Sequence, residues 1–266
     1  MPVLQHTNQV LFVAWQDPES RRYYPVARLM SAVGRDDQAY EFAYIHGAQE
    51  AAQAGFKPFL AFPQLDRVCR SDDLFAFFAN RVMSHERTDF AATVSRLGLD
   101  PQNADDMTIL ARSGGVRATD SIELFPLATF DRAESCYRTL FLAHGLRYVP
   151  NHSRDRIERL ARDERLFVLL DFQNTVDPRA LALRTDDQFL VGYIPRYLVP
   201  DTWQLLEQCD LVEVFVDRVN PPPAPVQQRL LCEMVACCPD GFVPFSEQTY
   251  KPISADALVL TTEAPP

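Results

Sequence analysis

Short apolar segments separated by turn-forming residues dominate the second half of the chain, and they limit its possible folds more than any other feature. Six of these segments are typical of strands in length and composition. They span residues 137–146, 166–170, 180–184, 190–194, 211–219 and 230–235. One predicted helix, at about residues 200–208, interrupts the series. Six short strands with one helix predict a small β-barrel over residues 131–245.

The first half of the chain differs, with strands first and helices later. We predict strands or extended pieces at residues 10–15, 23–29, 40–44 and 60–63. Helical spacing of apolar residues, cap residues or a closing glycine predict helices at residues 46–54, 71–83, 90–97 and 105–112. The expected fold class is therefore mainly β or α+β, with a mixed domain over residues 1–130. Residues 246–266 contain prolines and are expected to form an extended tail.

Glycine and lysine are scarce, which excludes two classes of phosphate-binding enzyme. The 266 residues include 9 Gly, and the lysines are Lys57 and Lys251. Neither G-x-G-x-x-G nor G-x-x-x-x-G-K-[ST] occurs, so a classical dinucleotide-binding or P-loop enzyme is excluded and no cofactor is expected. The net charge of −10 also argues against non-specific binding of nucleic acid. Any such binding would be confined to a small site.

The N-terminal residues and the cysteines favour a reduced cytoplasmic protein. The start of the chain lacks the basic and apolar regions of a signal peptide, and no apolar stretch approaches the ~18 residues that cross a bilayer. We therefore expect no membrane contact. The cysteines are scattered, without the spacing of a disulfide framework or a metal site, at Cys69, Cys136, Cys209, Cys232, Cys237 and Cys238.

Pairs of adjacent acidic residues are the nearest approach to a catalytic pattern. Adjacent residues do not share a helix face, and three of the four pairs fall where caps or turns are expected. The pairs are Asp36-Asp37, Asp72-Asp73, Asp105-Asp106 and Asp186-Asp187. No histidine has a partner at catalytic spacing, and no G-x-S-x-G motif is present. We expect a protein that is not an enzyme.

The predicted barrel carries arginines and tyrosines at the ends of its strands. Arg147 and Tyr148 end one strand, and Tyr193 and Arg196 end another. A polar loop, residues 171–178, joins two apolar strands. Aromatic faces that stack on bases, together with guanidiniums that bind phosphates, are the ingredients of single-strand recognition. The alternative is that the tyrosines are amphipathic rim residues and that the arginines only add solubility.

These same segments resemble the HIRAN domain, an OB-like β-barrel that occurs alone in bacteria. The matching segments are Gly145-Leu146-Arg147-Tyr148, residues 174–183 and Val191-Gly192-Tyr193-Ile194-Pro195-Arg196. The resemblance covers about 110 residues, and it implies a bacterial protein that binds the free 3′ end of single-stranded DNA.

The resemblance also implies a role for individual residues. Arg147 and Tyr148 would meet the terminal nucleotide, with Tyr148 as a stacking platform. Asp177, in the loop that starts at Asn174, would accept a hydrogen bond from the 3′-hydroxyl, because an ionised carboxylate only accepts. The same carboxylate would repel a 3′-phosphate. The residues that would hold the flanking backbone are Tyr193 and Arg196.

One position departs from the family pattern. The HIRAN domains of helicases have Asn-Pro-Tyr-Asp in this loop. Here Thr175 and Val176 replace the proline and the tyrosine. Stacking on an aromatic side chain is worth about 1–3 kcal/mol per base, so its loss would weaken binding about 10- to 100-fold.

The first half is similar to the N-terminal subdomain of HipA toxins. The similar segments are residues 11–29, 40–44, 60–63, 74–80, 106–110 and 114–115. The kinase domains of HipA have no counterpart here, and the Leu-Leu-Pro signature is replaced by Arg81-Val82-Met83-Ser84. The resemblance implies a module that docks a protein partner.

The leading hypothesis is a non-enzymatic protein that recruits a partner to DNA ends, in DNA repair, defence or a toxin–antitoxin system. The alternative is a protein-interaction or regulatory protein without DNA binding, which the net charge of −10 and Val176 favour.

Overall fold

A computed structural model describes residues 9–33, 38–117, 119–131, 136–209, 211–237 and 242–258. These residues form two antiparallel sheets and six α-helices, which confirms the predicted mainly β, α+β class. The chain divides into two compact units. Unit 1 comprises residues 1–91, 101–127 and 245–262, and unit 2 comprises residues 92–100, 128–244 and 263–266. Among the described residues, no helix combines the length and the apolar character needed to cross a membrane.

Unit 1 is built on a five-stranded sheet with the order β4-β3-β2-β1-β5. Its strands are β1 (Gln9–Gln16), β2 (Tyr23–Val33), β3 (Gln38–Tyr44), β4 (Cys69–Ser71) and β5 (Ile122–Pro126). The helices of this part of the chain are α1 (Gly47–Gln53), α2 (Ala76–Ala79), α3 (Phe90–Arg96) and α4 (Asp106–Ser113). Helix α3 starts at the end of one unit 1 segment and continues into the unit 2 segment.

Aromatic side chains fill the core of unit 1. Phe42 and Tyr44 lie two positions apart in β3, on the same face of the sheet, and both are fully buried. The Phe42 ring stacks on Phe62, with 3.8 Å between centroids. The Tyr44 hydroxyl donates to the Phe62 carbonyl oxygen at 2.8 Å and accepts from the Phe59 amide at 2.7 Å. The buried phenol therefore has a partner in each direction, as burial of a polar group requires.

Two predictions in unit 1 are wrong. The predicted helix at residues 71–83 is limited to Ala76–Ala79, because Ser71 ends β4 and its hydroxyl accepts from the Asp73 amide in a local turn. Such local side-chain bonds compete with a helix start. The extended piece at residues 60–63 is a turn, in which Phe62 N donates to Phe59 O at 2.8 Å and directs the Phe62 ring into the core.

The acidic pairs have different structural roles. Asp105 caps α4, since its Oδ1 accepts from the Thr108 amide at 2.8 Å. Asp186 and Asp187 form the turn between two strands of unit 2, and Asp72 lies in a bend rather than at a helix cap. Residues 36–37 lie outside the described residues.

The segment after residue 244 is packed rather than extended. Phe245 and Tyr250 are buried, and residues Gln248–Tyr250 form a 3-10 turn. Both rings contact Phe12 of β1, with centroids 5.2 Å and 5.1 Å away. Burial of two large aromatic rings stabilises this conformation far more than solvation of an extended chain would. The last residues of the expected tail, 259–266, lie outside the described residues.

Unit 2 is built on a seven-stranded sheet with the order β10-β9-β8-β11-β12-β7-β6. Its strands are β6 (Thr129–Asp131), β7 (Cys136–Leu142), β8 (Arg165–Leu170), β9 (Leu181–Arg184), β10 (Leu190–Tyr193), β11 (Leu211–Val219) and β12 (Leu230–Cys237). All its pairings are antiparallel. A separate bridge between His144 and Tyr193 joins the end of β10 to the segment after β7, which curls the sheet into a half-barrel.

Two helices accompany this sheet, one of them unpredicted. Helix α6 (Val199–Gln208) coincides with the predicted helix. Helix α5 (Asn151–Ile157) was missed because Ser153 and Ile157 are its only buried positions, so its sequence has little apolar periodicity.

The cysteines are less scattered in space than along the chain. The pairing of β7 with β12 places Cys136 opposite Cys237, with 3.5 Å between their sulfur atoms. Cys238 lies outside the described residues. No cluster of three or more metal-ligating side chains occurs in the described ranges.

Candidate functional site

The turn after β7 presents Arg147 and Tyr148 to solvent. The two backbone hydrogen bonds between His144 and Tyr193, of 2.9 Å and 3.0 Å, hold the start of this turn. Gly145 then adopts φ +75°, and the Tyr148 amide donates to its carbonyl at 2.8 Å. Tyr148 is 84% exposed, and Arg147 is also exposed. The turn therefore offers a guanidinium and a nearly free aromatic face side by side.

Gly145 fits this position for two reasons. Its left-handed backbone conformation favours glycine, and a Cβ atom there would lie 2.7 Å from Cδ2 of the Tyr193 ring. The Tyr193 ring thus packs directly on the Gly145 backbone. This close approach connects the turn that carries Tyr148 to the strand that carries Tyr193.

The loop after β8 is shaped by its own polar side chains. The Asn174 side-chain oxygen accepts from the amides of Val176 and Asp177, both at 3.0 Å. The Asn174 amide group donates to Asp171 Oδ2 at 3.2 Å, and Asp177 Oδ1 accepts from the Arg179 amide at 3.0 Å. Such turns in which an Asn or Asp side chain bonds nearby backbone fix a loop without regular secondary structure.

Tyr193 closes this loop onto the sheet. Its hydroxyl donates to Asp171 Oδ2 at 3.0 Å. Burial and the hydrogen bond to the Asp171 carboxylate raise the pKa of Tyr193, so the phenol is protonated at neutral pH. Asp171 was not among the predicted site residues. The available signal was its place as the first polar residue after an apolar strand.

Asp177 and Arg196 form an ion pair rather than acting separately. Arg196 Nε lies 3.2 Å from Asp177 Oδ2, and the two side chains are 19% and 15% exposed. Arg196 follows Pro195 and begins a 3-10 turn that ends at Leu198. The neighbouring guanidinium compensates the charge of the carboxylate, whose oxygens have further lone pairs that can accept hydrogen bonds.

Phe172 is a second exposed aromatic residue that sequence reasoning missed. It follows Asp171 directly and is 73% exposed. Val176, in the same loop, is 51% exposed. An aromatic residue in an otherwise polar loop is the signal that points to Phe172. The loop therefore carries an exposed ring.

Four of the six predicted site residues are linked by hydrogen bonds and an ion pair, namely Asn174, Asp177, Tyr193 and Arg196. These four residues and Asp171 form a set that we call the loop network. Arg147 and Tyr148 follow Gly145, whose backbone contacts the Tyr193 ring.

No protein-family model and no curated protein matches the sequence. Similar solved structures include the HIRAN domain of human HLTF, with 14% identity and a TM-score of 0.28 over 37% of this chain and 74% of that chain. They also include a protein from Lactobacillus plantarum, with 19% identity and a TM-score of 0.30 over 38% of this chain and 96% of that chain.

Proposed function

We propose that unit 2 binds single-stranded DNA at its 3′ end without catalysing a reaction, and that unit 1 docks a protein partner. The observation that carries the proposal is the pair of exposed aromatic residues, Tyr148 and Phe172, joined to one polar network. Tyr148 lies three residues from Gly145, which contacts the Tyr193 ring. Phe172 lies next to Asp171, which accepts a hydrogen bond from the Tyr193 hydroxyl.

Exposed rings of this kind suit nucleic acid that is not base-paired. Water solvates an aromatic face poorly, whereas an unpaired base stacks on it with about 1–3 kcal/mol per base. Every base has such a face, so this recognition tolerates any sequence. Arg147, beside Tyr148, supplies the positive charge that a phosphate requires.

Asp177 is the candidate for recognition of the terminal hydroxyl. Its carboxylate accepts a hydrogen bond from the Arg179 amide and lies 3.2 Å from Arg196 Nε, and its remaining lone pairs can accept a hydrogen bond from a 3′-hydroxyl. A 3′-phosphate would instead bring negative charge against this carboxylate. The resemblance of residues 145–148 and 174–178 to the HIRAN domain supports the same assignment.

The role of unit 1 rests on its similarity to the N-terminal subdomain of HipA toxins. As a docking module in the cytoplasm, unit 1 would recruit a partner to the DNA end that unit 2 holds. Its context would be DNA repair, defence or a toxin–antitoxin system.

The test is fluorescence anisotropy with labelled single strands that end in a 3′-hydroxyl or a 3′-phosphate. We expect tighter binding of the 3′-hydroxyl strand and loss of this preference in Asp177→Asn, because the repulsion of the phosphate disappears. Asp163→Asn is the matched control, since Asp163 is a carboxylate of unit 2 with an 87% exposed side chain. Equal, micromolar-or-weaker binding of both strands, unchanged in Arg147→Ala, would overturn the proposal.

The second candidate function is protein interaction without DNA binding. The net charge of −10 and the exposed Val176 at the family's aromatic position favour it. A pull-down that recovers one stoichiometric partner, with no retention on single-stranded DNA at low salt, would support this alternative.

A further inference from the structure

A cavity of about 300 Å³ lies in unit 2 behind the turn that carries Arg147. Its apolar lining comes from four side chains on different segments, namely Leu146, Ile157, Val219 and Val226. Its polar lining residues are Arg147, Arg154, Glu158, Asn220 and Arg229. We call it the arginine cavity. Its volume is at the lower end of the range for small-molecule sites, which combine an apolar wall with a few polar groups.

The charge of the lining is unusual for this chain. Three arginines line the cavity, and Glu158 is the single acidic residue among its lining residues, all of which are described. Glu158 is 58% exposed, and its Oε1 lies 3.8 Å from Arg229 Nη1, beyond hydrogen-bond distance. A local excess of guanidiniums on a protein with a net charge of −10 favours an anionic ligand at this place.

Two of the three arginines, Arg229 and Arg154, are held in place by hydrogen bonds to the backbone. Arg229 Nε donates to the Ala224 carbonyl at 2.8 Å, and its side chain is 22% exposed. Arg154 Nη2 donates to the Arg147 carbonyl at 2.7 Å. Each bond fixes one edge of a guanidinium. A preorganised donor loses less conformational entropy on binding than a freely moving one.

The loop that carries Arg229 is also fixed. Asn220 is buried. Its backbone N–H donates to the Arg229 carbonyl at 2.8 Å, and its side-chain Nδ2 donates to the Gln228 carbonyl at 2.7 Å. Asn220 thus fastens the beginning of the loop to its end. Pro221, Pro222, Pro223 and Pro225 restrict the residues between. The cavity wall is therefore rigid.

We propose that the arginine cavity binds one nucleotide unit. The phosphate would lie against Arg147, Arg154 and Arg229, and the base or sugar would lie against the apolar side chains. The lining of the cavity favours an anion with an apolar body; the choice of a nucleotide rests on the proposed function. Arg147 lines the cavity and also lies beside Tyr148 in the turn after β7. A nucleotide of a bound strand can therefore occupy the cavity while Tyr148 and the loop network hold the end of the strand.

Isothermal titration calorimetry of the full chain with thymidine 5′-monophosphate tests the proposal. We expect binding of the nucleotide, and at least about 10-fold weaker binding of thymidine and of inorganic phosphate, because each lacks half of the contacts. Loss of one charge-assisted hydrogen bond is worth about 1.5–3 kcal/mol, so Arg229→Gln and Arg154→Gln should each weaken nucleotide binding roughly 10- to 100-fold. Glu158→Gln should strengthen it, since the opposing carboxylate is removed.

Arg162→Gln is the matched control, because it removes the same charge from unit 2 at a 74% exposed side chain that does not line the cavity. The Arg162→Gln variant should bind the nucleotide as tightly as the unmodified protein does. If Arg229→Gln does not fold, the other two variants test the proposal. Nucleotide binding should weaken in Arg154→Gln and strengthen in Glu158→Gln. Absence of nucleotide binding at millimolar concentration, or equal affinity in both arginine variants and the control, would overturn the proposal.

Strand binding separates this proposal from the proposed function. If a 3′-hydroxyl strand requires Asp177 but binds Arg229→Gln normally, the cavity proposal fails and end recognition stands. If the mononucleotide binds through Arg229 while no strand binds, the cavity takes a free nucleotide and end recognition fails. Competition between strand and mononucleotide, lost in Arg229→Gln, would show that a nucleotide of the strand occupies the cavity.

Discussion

Both units bury aromatic side chains, and they differ in whether any such side chain is largely exposed. In unit 1 the rings of Phe42, Phe62 and Phe78 are buried against one another. Among the described residues, the two aromatic side chains that rank as exposed are Tyr148 and Phe172, both in unit 2. The buried rings stabilise a fold, whereas the exposed rings are available to a ligand. Aromatic content alone therefore does not distinguish a core from a binding surface.

Charged groups show the same contrast. In unit 1 Glu41 is buried, and it accepts from Arg70 Nε at 3.1 Å and from the Leu258 amide at 2.9 Å, with Arg28 Nη2 at 3.6 Å. Its carboxylate serves to join strands to the C-terminal segment. In unit 2 the paired side chains of Asp177 and Arg196 are partly exposed to solvent. Glu41 is thus used within the fold of unit 1, whereas Asp177 and Arg196 of the loop network reach solvent.

The largest expected effect is on the stability of unit 1. Phe42→Ala removes a fully buried ring from the aromatic cluster, and we expect a loss of about 3–5 kcal/mol in the free energy of unfolding. Trp15 lies in unit 1 and Trp203 in unit 2, so urea denaturation in a Trp203→Phe background follows unit 1 by Trp15 fluorescence. Phe172→Ala, followed by Trp203 in a Trp15→Phe background, should cost less than about 0.5 kcal/mol. Equal losses of unfolding free energy in Phe42→Ala and Phe172→Ala would contradict the contrast between the units.

Glu41→Gln tests the contrast in charge. The substitution leaves the buried Arg28 guanidinium without its opposite charge, and breaking a buried ion pair in this way costs about 3–5 kcal/mol. Glu213→Gln in unit 2 is the comparison, because its pair with Arg165 at 3.3 Å is partly exposed and ion pairs at the surface contribute about 0–1 kcal/mol. Urea denaturation with the same tryptophan reporters measures both. A cost below about 1 kcal/mol for Glu41→Gln would contradict a stabilising role for the buried pair.

Six of the seven strands of unit 2 were predicted from the sequence, whereas β6 and the contacts of the site were not. Strands β7–β12 were predicted because each is a short apolar segment between turn residues, which is a local signal. The hydrogen bond of Tyr193 to Asp171 joins residues that are 22 positions apart. The pairing of Asp177 with Arg196 depends likewise on how β8, β9 and β10 align. Such contacts arise from tertiary structure, which no local pattern contains.

The exposed rings should matter for binding and not for stability. Tyr148→Ala and Phe172→Ala each remove a stacking surface, so each should weaken binding of a 3′-hydroxyl strand by about 1–3 kcal/mol. Anisotropy titration measures the loss, and unchanged urea midpoints confirm that the fold is intact. Leu170→Ala is a control, because it removes an exposed apolar side chain of β8 that cannot stack on a base. A similar loss in the control would indicate a general apolar surface instead of stacking.

A buried phenol of unit 1 and a carboxylate of unit 2 should respond to opposite ends of the pH scale. Burial raises the pKa of Tyr44 to about 12, against about 10 in an unfolded chain. The folded state therefore favours the protonated phenol, and this contribution to stability is complete below pH 10 and lost as the pH rises to about 12. In Tyr44→Phe the alkaline loss should shrink. At neutral pH the variant should be less stable by about 1–3 kcal/mol, since the Phe62 carbonyl and the Phe59 amide lose their partner.

The smallest expected effect concerns acid stability in unit 2. Hydrogen bonds from Arg156, whose Nε lies 2.8 Å from Asp187 Oδ2, and from Thr185 lower the pKa of Asp187 to about 2. The unfolded value is about 3.9, so the folded state favours the ionised carboxylate. Its contribution is present above pH 4 and is lost as the pH falls towards 2. Because the side chain is half exposed, the contribution is small. Asp187→Asn should flatten the decline of the Trp203-monitored urea midpoint between pH 4 and 2, while the Trp15-monitored midpoint keeps its dependence. An unchanged slope for unit 2 would mean that solvent screens this pair completely.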